Sequence, residues 1–280
     1  GLIVDGVLMR LSADKFWYVQ ADGDFYSWAR AHSVGMDVKI SDPRVYVSQV
    51  QGPNALKILE AANEGGKLPE PFGYFAVAQV NLGGQHVYIT RTGYTNELGW
   101  EFYVEPHHDA DALWAHLEQA GKPFGMTLFG LDSMNVRRIE AGILNAGTDF
   151  DETTTPFDVG LGRFVDMDKA DFIGKSALES ASKEPRHTGL KCPTAEPVIQ
   201  GEIMQGDTVI GRVTAAAFSP FLQHGTGLAL LDRAGHQNGE AVRIRCVDGA
   251  MHAGELHAAP FYDDQAEIPR GKKVDIPTRG

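Results

Sequence analysis

Short runs of β-branched and aromatic residues, alternating with polar ones and broken by Gly, Asn and Pro, recur through most of this chain. That alternation predicts strands at residues 15–20, 37–40 and 45–50. Residues 1–11 read as strand, turn, strand, with Asp5 at the break, and residues 74–80 lead into a hairpin of strands at 85–90 and 100–104. Apolar residues at helical spacing predict helices over 25–31, 55–59, 109–120 and 131–142. Trp28 is expected in the core, and Pro53 lies where a helix start favours it. Gly121 suits the position just past a helix end, and Asp132 or Ser133 can cap the last helix.

The rhythm changes beyond a polar, charged stretch at 180–188. Short strands separated by Gly follow at 203–205, 208–210, 211–214, 227–231 and 242–245. That cadence predicts a small all-β barrel or sandwich. The expected division is 1–185, 186–265 and a polar, mobile tail at 266–280.

Within this pattern Glu101 is out of place. A carboxylate among Trp100, Phe102, Tyr103 and Val104 is costly to bury unless something donates hydrogen bonds to it. It either faces solvent on an edge strand or waits for a ligand with paired N–H donors. Asp5-Gly6, taken alone, is a strong hairpin-turn signal.

Composition narrows the choices. The 280 residues carry 25 basic and 37 acidic side chains, a net charge of −12, which argues against nucleic acid or an anionic membrane as the main partner. Apolar content of 43% in a chain of this length allows one large domain or two unequal ones. No run of about 18 apolar residues is present to span a membrane. Cys192 and Cys246 are far apart in sequence, so no structural disulfide is expected and a reducing, cytoplasmic setting is the default. His224, His236, His252 and His257 lack metal-ligand spacing, and no metal is expected.

The segment Arg91-Thr92-Gly93-Tyr94-Thr95-Asn96-Glu97-Leu98-Gly99-Trp100-Glu101 resembles the R-T-G-Y-T-x-E-x-G-x-E signature of the glycine-cleavage T-protein family, the tetrahydrofolate-dependent aminomethyltransferases. Further motifs follow in family order. They are Gln51-Gly52-Pro53-Asn54-Ala55, Arg137-Arg138-Ile139-Glu140-Ala141-Gly142, Gly147-Thr148-Asp149, Thr155-Pro156 through Leu161, and Phe172-Ile173-Gly174-Lys175. Gly211-Arg212-Val213-Thr214 with Ser219-Pro220 is similar to the family's C-terminal barrel motif.

The resemblance implies an α+β fold: a folate-binding α/β domain with antiparallel sheets, then a small C-terminal β-barrel. It implies that Glu101 grips the pterin of tetrahydrofolate, whose amino and ring N–H groups suit a two-pronged contact with a carboxylate. Tyr94 would lie beside the pterin and Arg138 would line the pocket and balance negative charge. Where the family shows G-G-x-x-D-D, this chain has Asp5 then Gly6, so Asp5 takes the catalytic place with one carboxylate of the pair. Family members carry roughly a domain's third ahead of Gly1, and that part would complete the folate site.

The implied activity is aminomethyl transfer to tetrahydrofolate, from a small-molecule donor or a lipoyl-carrier protein. Lys15-Phe16-Trp17-Tyr18 and Ala21-Asp22-Gly23-Asp24 look like the dimethylsulfoniopropionate demethylases, where Trp17 and Tyr18 could attract a sulfonium. This makes an S- or N-demethylase the alternative. A folate-binding iron–sulfur assembly factor is the non-enzymatic one, but its K-G-C-Y-x-G-Q-E motif is absent. Lys175 is either a docking charge or an ordinary helix-start lysine.

Overall fold

Residues 1–273 are described by the computed structural model, and sheets organise most of them. The chain opens with a hairpin of β1 (Val7–Arg10) and β2 (Phe16–Val19), followed by α1 (Phe25–His32). A four-stranded antiparallel sheet comes next, from β3 (Tyr46–Gln51), β4 (Val77–Leu82), β5 (Gln85–Thr90) and β6 (Gly99–Val104), in the order β3-β6-β5-β4. Gly83 and Gly84, both at positive φ (+59° and +78°), make the tight β4–β5 turn, a conformation that side chains disfavour.

Period-two alternation gives this sheet two unlike faces. Val50, Val80, Val87, Ile89, Trp100 and Phe102 point one way, onto α2 (Ala55–Ala62) and α3 (Ala110–Gly121). Asp109 caps α3 by accepting from the Ala112 N–H at 3.0 Å. Gln49, Thr90, Glu101 and Tyr103 share the opposite face.

After α4 (Leu131–Ala141) and the short α5 (Lys175–Ser180) the chain enters a closed barrel. Its strands are β7 (His187–Cys192), β8 (Glu202–Gln205), β9 (Thr208–Ser219), β10 (His224–Leu231), β11 (Ala241–Arg245) and β12 (Met251–His257), closed in the order β10-β7-β12-β11-β8-β9. Leu190, Ile203, Val213, Ile244 and Leu256 fill it. Outside the barrel, α4 lays Ile139 against Ala215, Ala217 and Leu228. That contact ties the sheet part of the molecule to the barrel.

Several local expectations are corrected. Residues 1–6 form no strand, and the hairpin turn lies at 11–15, where the N–H groups of Leu11 and Ser12 both donate to the Lys15 carbonyl. Gly6 serves close approach instead: a Cβ there would run into the Val19 carbonyl and the Tyr18 ring. Residues 37–40 are not a strand. Trp28 is 36% exposed and packs on His32, because α1 has no buried residue. Gly121 is the last residue of α3 rather than the one past it, and the left-handed break falls at Gly125 (φ +72°). Gly130, not Asp132 or Ser133, precedes α4.

Gly211 does not divide two strands. β9 runs through it, and the glycine admits β10, whose Leu230 carbonyl would meet a Cβ at 2.6 Å. The barrel also brings Cys192 and Cys246 together, with buried sulfurs 3.7 Å apart as free thiols. Lys175 starts α5 and donates to the Lys169 carbonyl at 2.6 Å. Past residue 263, Ile268 is buried and the Pro269 carbonyl accepts from Arg91 at 3.3 Å. Residues 274–280 of the expected tail lie outside the described residues. No described helix is long and apolar enough to cross a membrane.

Candidate functional site

Glu101 sits in the middle of β6 with Gln49 opposite it on β3 and Thr90 opposite it on β5. Thr92 Oγ1 donates a short hydrogen bond to Glu101 Oε2. Thr92 Oγ1 lies 2.5 Å from Thr90 Oγ1, which lies 3.1 Å from the Tyr103 hydroxyl. Burial raises the Glu101 pKa, and the hydroxyls of Thr92 and Tyr103 pull against that rise. Tyr103 itself is pushed up to about 12, by burial and then by the charge of Glu101. Trp17 of β2 covers this corner, its ring centroid 5.3 Å from Tyr88 and 5.9 Å from Tyr103.

The loop between β5 and β6 is shaped around Gln51. Its Nε2 donates to the Thr92 carbonyl at 3.1 Å, and its Oε1 accepts from Thr95 Oγ1 at 2.8 Å. A Cβ on Gly93 or Gly99 would overlap the Gln51 amide, which accounts for both glycines of the motif. The first glutamate of the motif is a strut. Glu97 pairs with Arg137, which also pairs with the buried Glu140, and Glu140 accepts from Ser219 Oγ of β9 at 2.5 Å.

Asp5, Tyr94 and Arg138 come together beside this row. Tyr94 donates its N–H to Gln49 Oε1 at 3.3 Å and its hydroxyl to the Leu144 carbonyl at 2.7 Å. Its pKa is pushed up to about 12 by burial, with Arg138 opposing and Asp5, Asp149 and Asp22 adding. Burial, and to a lesser degree Asp149, also raises the Asp5 pKa. Arg138 is 6% exposed; its Nη1 donates to Asp149 Oδ2 at 2.9 Å and the Ile143 carbonyl at 3.1 Å, and its Nε to Asn135 Oδ1 at 2.9 Å. Asp149 also accepts from the Asn145 N–H at 2.8 Å and from Thr214 Oγ1 of β9 at 2.5 Å. Gln49 thus joins two groups: Glu101 with its hydroxyls, and Asp5 with Tyr94 and Arg138.

Two clefts border this region. One, of about 620 Å³, runs between the open edge of β3 and residues 124–131, with Gln49 and Met134 on its wall. The other, of about 370 Å³, lies between Glu97, Arg137 and Tyr262, and Gln51 borders both. Elsewhere the ligand atoms of Glu105, His107 and His108 lie within 4.8 Å of one another. His108 is already committed there, its Nδ1 to the Glu105 N–H at 2.9 Å and its Nε2 to the His86 carbonyl at 3.0 Å.

Residues 1–169 match the GCVT N-terminal domain, and residues 186–263 match the glycine cleavage T-protein C-terminal barrel domain. The chain belongs to the glycine-cleavage T-protein family. It is 35% identical over 273 residues to an aminomethyltransferase of Alkaliphilus oremlandii, covering 94% of this chain and 73% of that protein. It is 33% identical over 291 residues to a trimethylamine-oxide aldolase of Ruegeria pomeroyi, covering 96% of this chain but 36% of that protein. The crystal structure of glycine cleavage system aminomethyltransferase T from Bartonella henselae matches with a TM-score of 0.82 at 26% identity, over 94% of this chain and 73% of that one.

For this T-protein family member, sequence reasoning missed Gln49, Thr90, Thr92, Tyr103 and Asp149 as parts of the site. Alternation along β5 and β6 carries a signal for Thr90, Glu101 and Tyr103 sharing a face. Gln49 could be found only through the β3–β6 register. Asp149 stands in the Gly147-Thr148-Asp149 motif, but its contact with Arg138 appears only in the fold.

Proposed function

We propose that this chain is the catalytic part of a tetrahydrofolate-dependent one-carbon transferase of the aminomethyltransferase kind. On this reading residues 1–185 form the folate-binding domain, 186–265 a barrel that buttresses α4, and 266–280 a tail. The observation that carries it is the state of Glu101. The carboxylate is half-buried on a strand face, and among the described residues only hydroxyls meet it, with no N–H donor. A buried acceptor-only group of that kind suits a ligand that brings two adjacent N–H groups, as the edge of a reduced pterin does.

Tetrahydrofolate, when bound, supplies the nitrogen that takes up the one-carbon group. The protein's work is to bind, orient and manage charge. Glu101 fixes the pterin edge, and Trp17, Tyr88 and Tyr103 keep water from its flank. Tyr94 offers its ring, since its hydroxyl is spent on Leu144. Arg138 holds Asp149 and, with no partner at Nη2 among the described residues, has a donor left for a negative group. Asp5 holds a proton more readily than an exposed aspartate, which suits proton transfer beside the reacting atoms.

An aminomethyl donor, free or on a lipoyl-carrier protein, is the first reading of the co-substrate. The likeness to trimethylamine-oxide aldolase keeps a methylated-nitrogen source as the second. The aromatic pair adds no support for a sulfonium: Lys15 Nζ already lies 5.7 Å from the centroid of the Trp17 ring, and Tyr18 packs on Phe25. A cytoplasmic setting without a nucleic-acid partner goes with the net charge of −12 and two free thiols.

Glu101→Gln keeps the shape but turns one acceptor into a donor facing a pterin donor. Titration calorimetry with tetrahydrofolate should show a loss of about 2 kcal/mol or more. Unchanged affinity would remove Glu101 from the site and the reading with it. Mass spectrometry of the folate product across a panel of donors then separates the two co-substrate readings.

A further inference from the structure

We infer that Tyr103, Thr90 and Thr92 form a one-way chain of hydroxyl donors that ends on Glu101 and keeps this carboxylate ionised and aimed at its ligand. The inference rests on the tetrahydrofolate reading only for the identity of that ligand.

The direction follows from counting protons. Each hydroxyl has one to give. Thr92 gives its proton to Glu101 Oε2, since an ionised carboxylate has none to offer in return. At 2.5 Å from Thr90, Thr92 Oγ1 must then accept. Thr90 has now spent its proton, so at 3.1 Å it accepts from the Tyr103 hydroxyl. All three residues are buried, at 0%, 5% and 1% exposure for Thr90, Thr92 and Tyr103. Protonation of Glu101 at Oε2 would reverse every bond in the chain. The Tyr103 hydroxyl, which also acts on Glu101 directly, would then have only the neutral Glu101 carboxyl, a weaker acceptor than a carboxylate, to receive its proton among the described residues.

Protonation at Oε1 would leave the chain intact but ending on a carbonyl oxygen, a weaker acceptor than a carboxylate, so whichever oxygen takes the proton the chain favours the charged form. It opposes the burial that pushes Glu101 up. The titratable groups facing the carboxylate are Tyr103 on its own strand and Tyr74 from the segment before β4; Arg91 and Arg270 act on Tyr74 rather than on Glu101. Among the described residues no cation shifts Glu101, and the hydroxyls do that work. The threonines of the 90–92 segment are accordingly positioning residues, Thr92 one step and Thr90 two steps from the carboxylate.

The test follows the protonation of Glu101 itself. In the protein without ligand, the carboxyl C=O infrared band of Glu101 is assigned by its loss in Glu101→Gln and titrated with pH. Thr92→Val removes the last hydroxyl at constant shape, and the Glu101 midpoint is expected to move to higher pH. Tetrahydrofolate affinity at neutral pH should fall about tenfold, and as pH is lowered it should be lost earlier than in the parent protein. Thr92→Ser restores both. Should the valine variant fold poorly, Tyr103→Phe provides the second reading, with a smaller shift in the same direction. A Glu101 midpoint and a pH profile of binding unchanged in Thr92→Val or, if that variant misfolds, in Tyr103→Phe overturn the inference. If the midpoint moves while Glu101→Gln binds tetrahydrofolate like the parent, the relay stands and the folate reading falls.

Discussion

Arg138 shows how one side chain can serve both fold and site. Its guanidinium gathers Asp149, the Ile143 carbonyl and Asn135 while Asp149 reaches Thr214 on the barrel. Arg138→Met fills the volume but leaves Asp149 as an uncompensated buried charge. We expect a loss of about 3–5 kcal/mol in urea unfolding. Lysine should not rescue it, because an ammonium cannot present a planar fork to three acceptors. A variant as stable as the parent would show that Asp149 does not depend on the pair. The motif around Arg138 was legible in the sequence; its partners were not, because Asp149 and Thr214 lie in other motifs and meet only in the folded chain. The same holds at Glu101. Its oddness among Trp100 and Phe102 could be read directly, whereas Thr92 reaches it only after the 91–98 loop folds back.

Elements were legible where local pattern and pairing agree. β5, β6, α2, α3 and α4 follow their alternation or helical spacing closely. The strand expected at 37–40 has the right residues and no partner. β7 and β12 have partners on both sides, but their polar positions (Thr188 and Lys191, His252 and Glu255) hide the pattern, and the sequence predicts no strand at either. Glycine misled at Gly6, Gly121 and Gly211, where close approach rather than a turn or a helix end accounts for it. Gly142 is the case where conformation requires it: it ends α4 at φ +68°, and a Cβ there would meet Ala259 Cβ at 2.7 Å. Gly142→Ala should therefore lower stability by about 1–3 kcal/mol. A thermal melt reads this directly. A melting temperature equal to the parent's would mean that the α4 end relaxes freely away from residue 259.

At the scale of the whole molecule, the carboxylates divide into two sets that respond to pH in opposite directions. Asp5, Glu97 and Glu101 are raised, by burial first. Their stabilising contribution is complete below the unfolded pKa and is lost as pH climbs through the folded one. Asp158 is lowered: Arg186 and Thr155 more than offset its burial, so its contribution is present above the unfolded pKa and lost as pH falls. Asp24, Asp151, Glu240 and Asp248 are lowered too, by hydrogen bonds at exposed sites where solvent weakens the effect. The chain's net charge of −12 adds self-repulsion on the alkaline side. Together these place maximum thermal stability on the acid side of neutrality, at about pH 5–6, with a decline toward about pH 8. Glu101→Gln removes one of the three groups responsible for that decline. It should melt above the parent at about pH 8, and the gap should close as pH falls toward the ordinary glutamate range, where the parent carries a neutral carboxyl as well. The variant that loses tetrahydrofolate would then be the more stable protein, as expected when a binding group is held charged in a place that resists charge. Calorimetric melts of both proteins from about pH 4.5 to 8 decide the matter. A parent whose melting temperature rises steadily to the alkaline end, or a glutamine variant no more stable there, would show that burying Glu101 carries no cost.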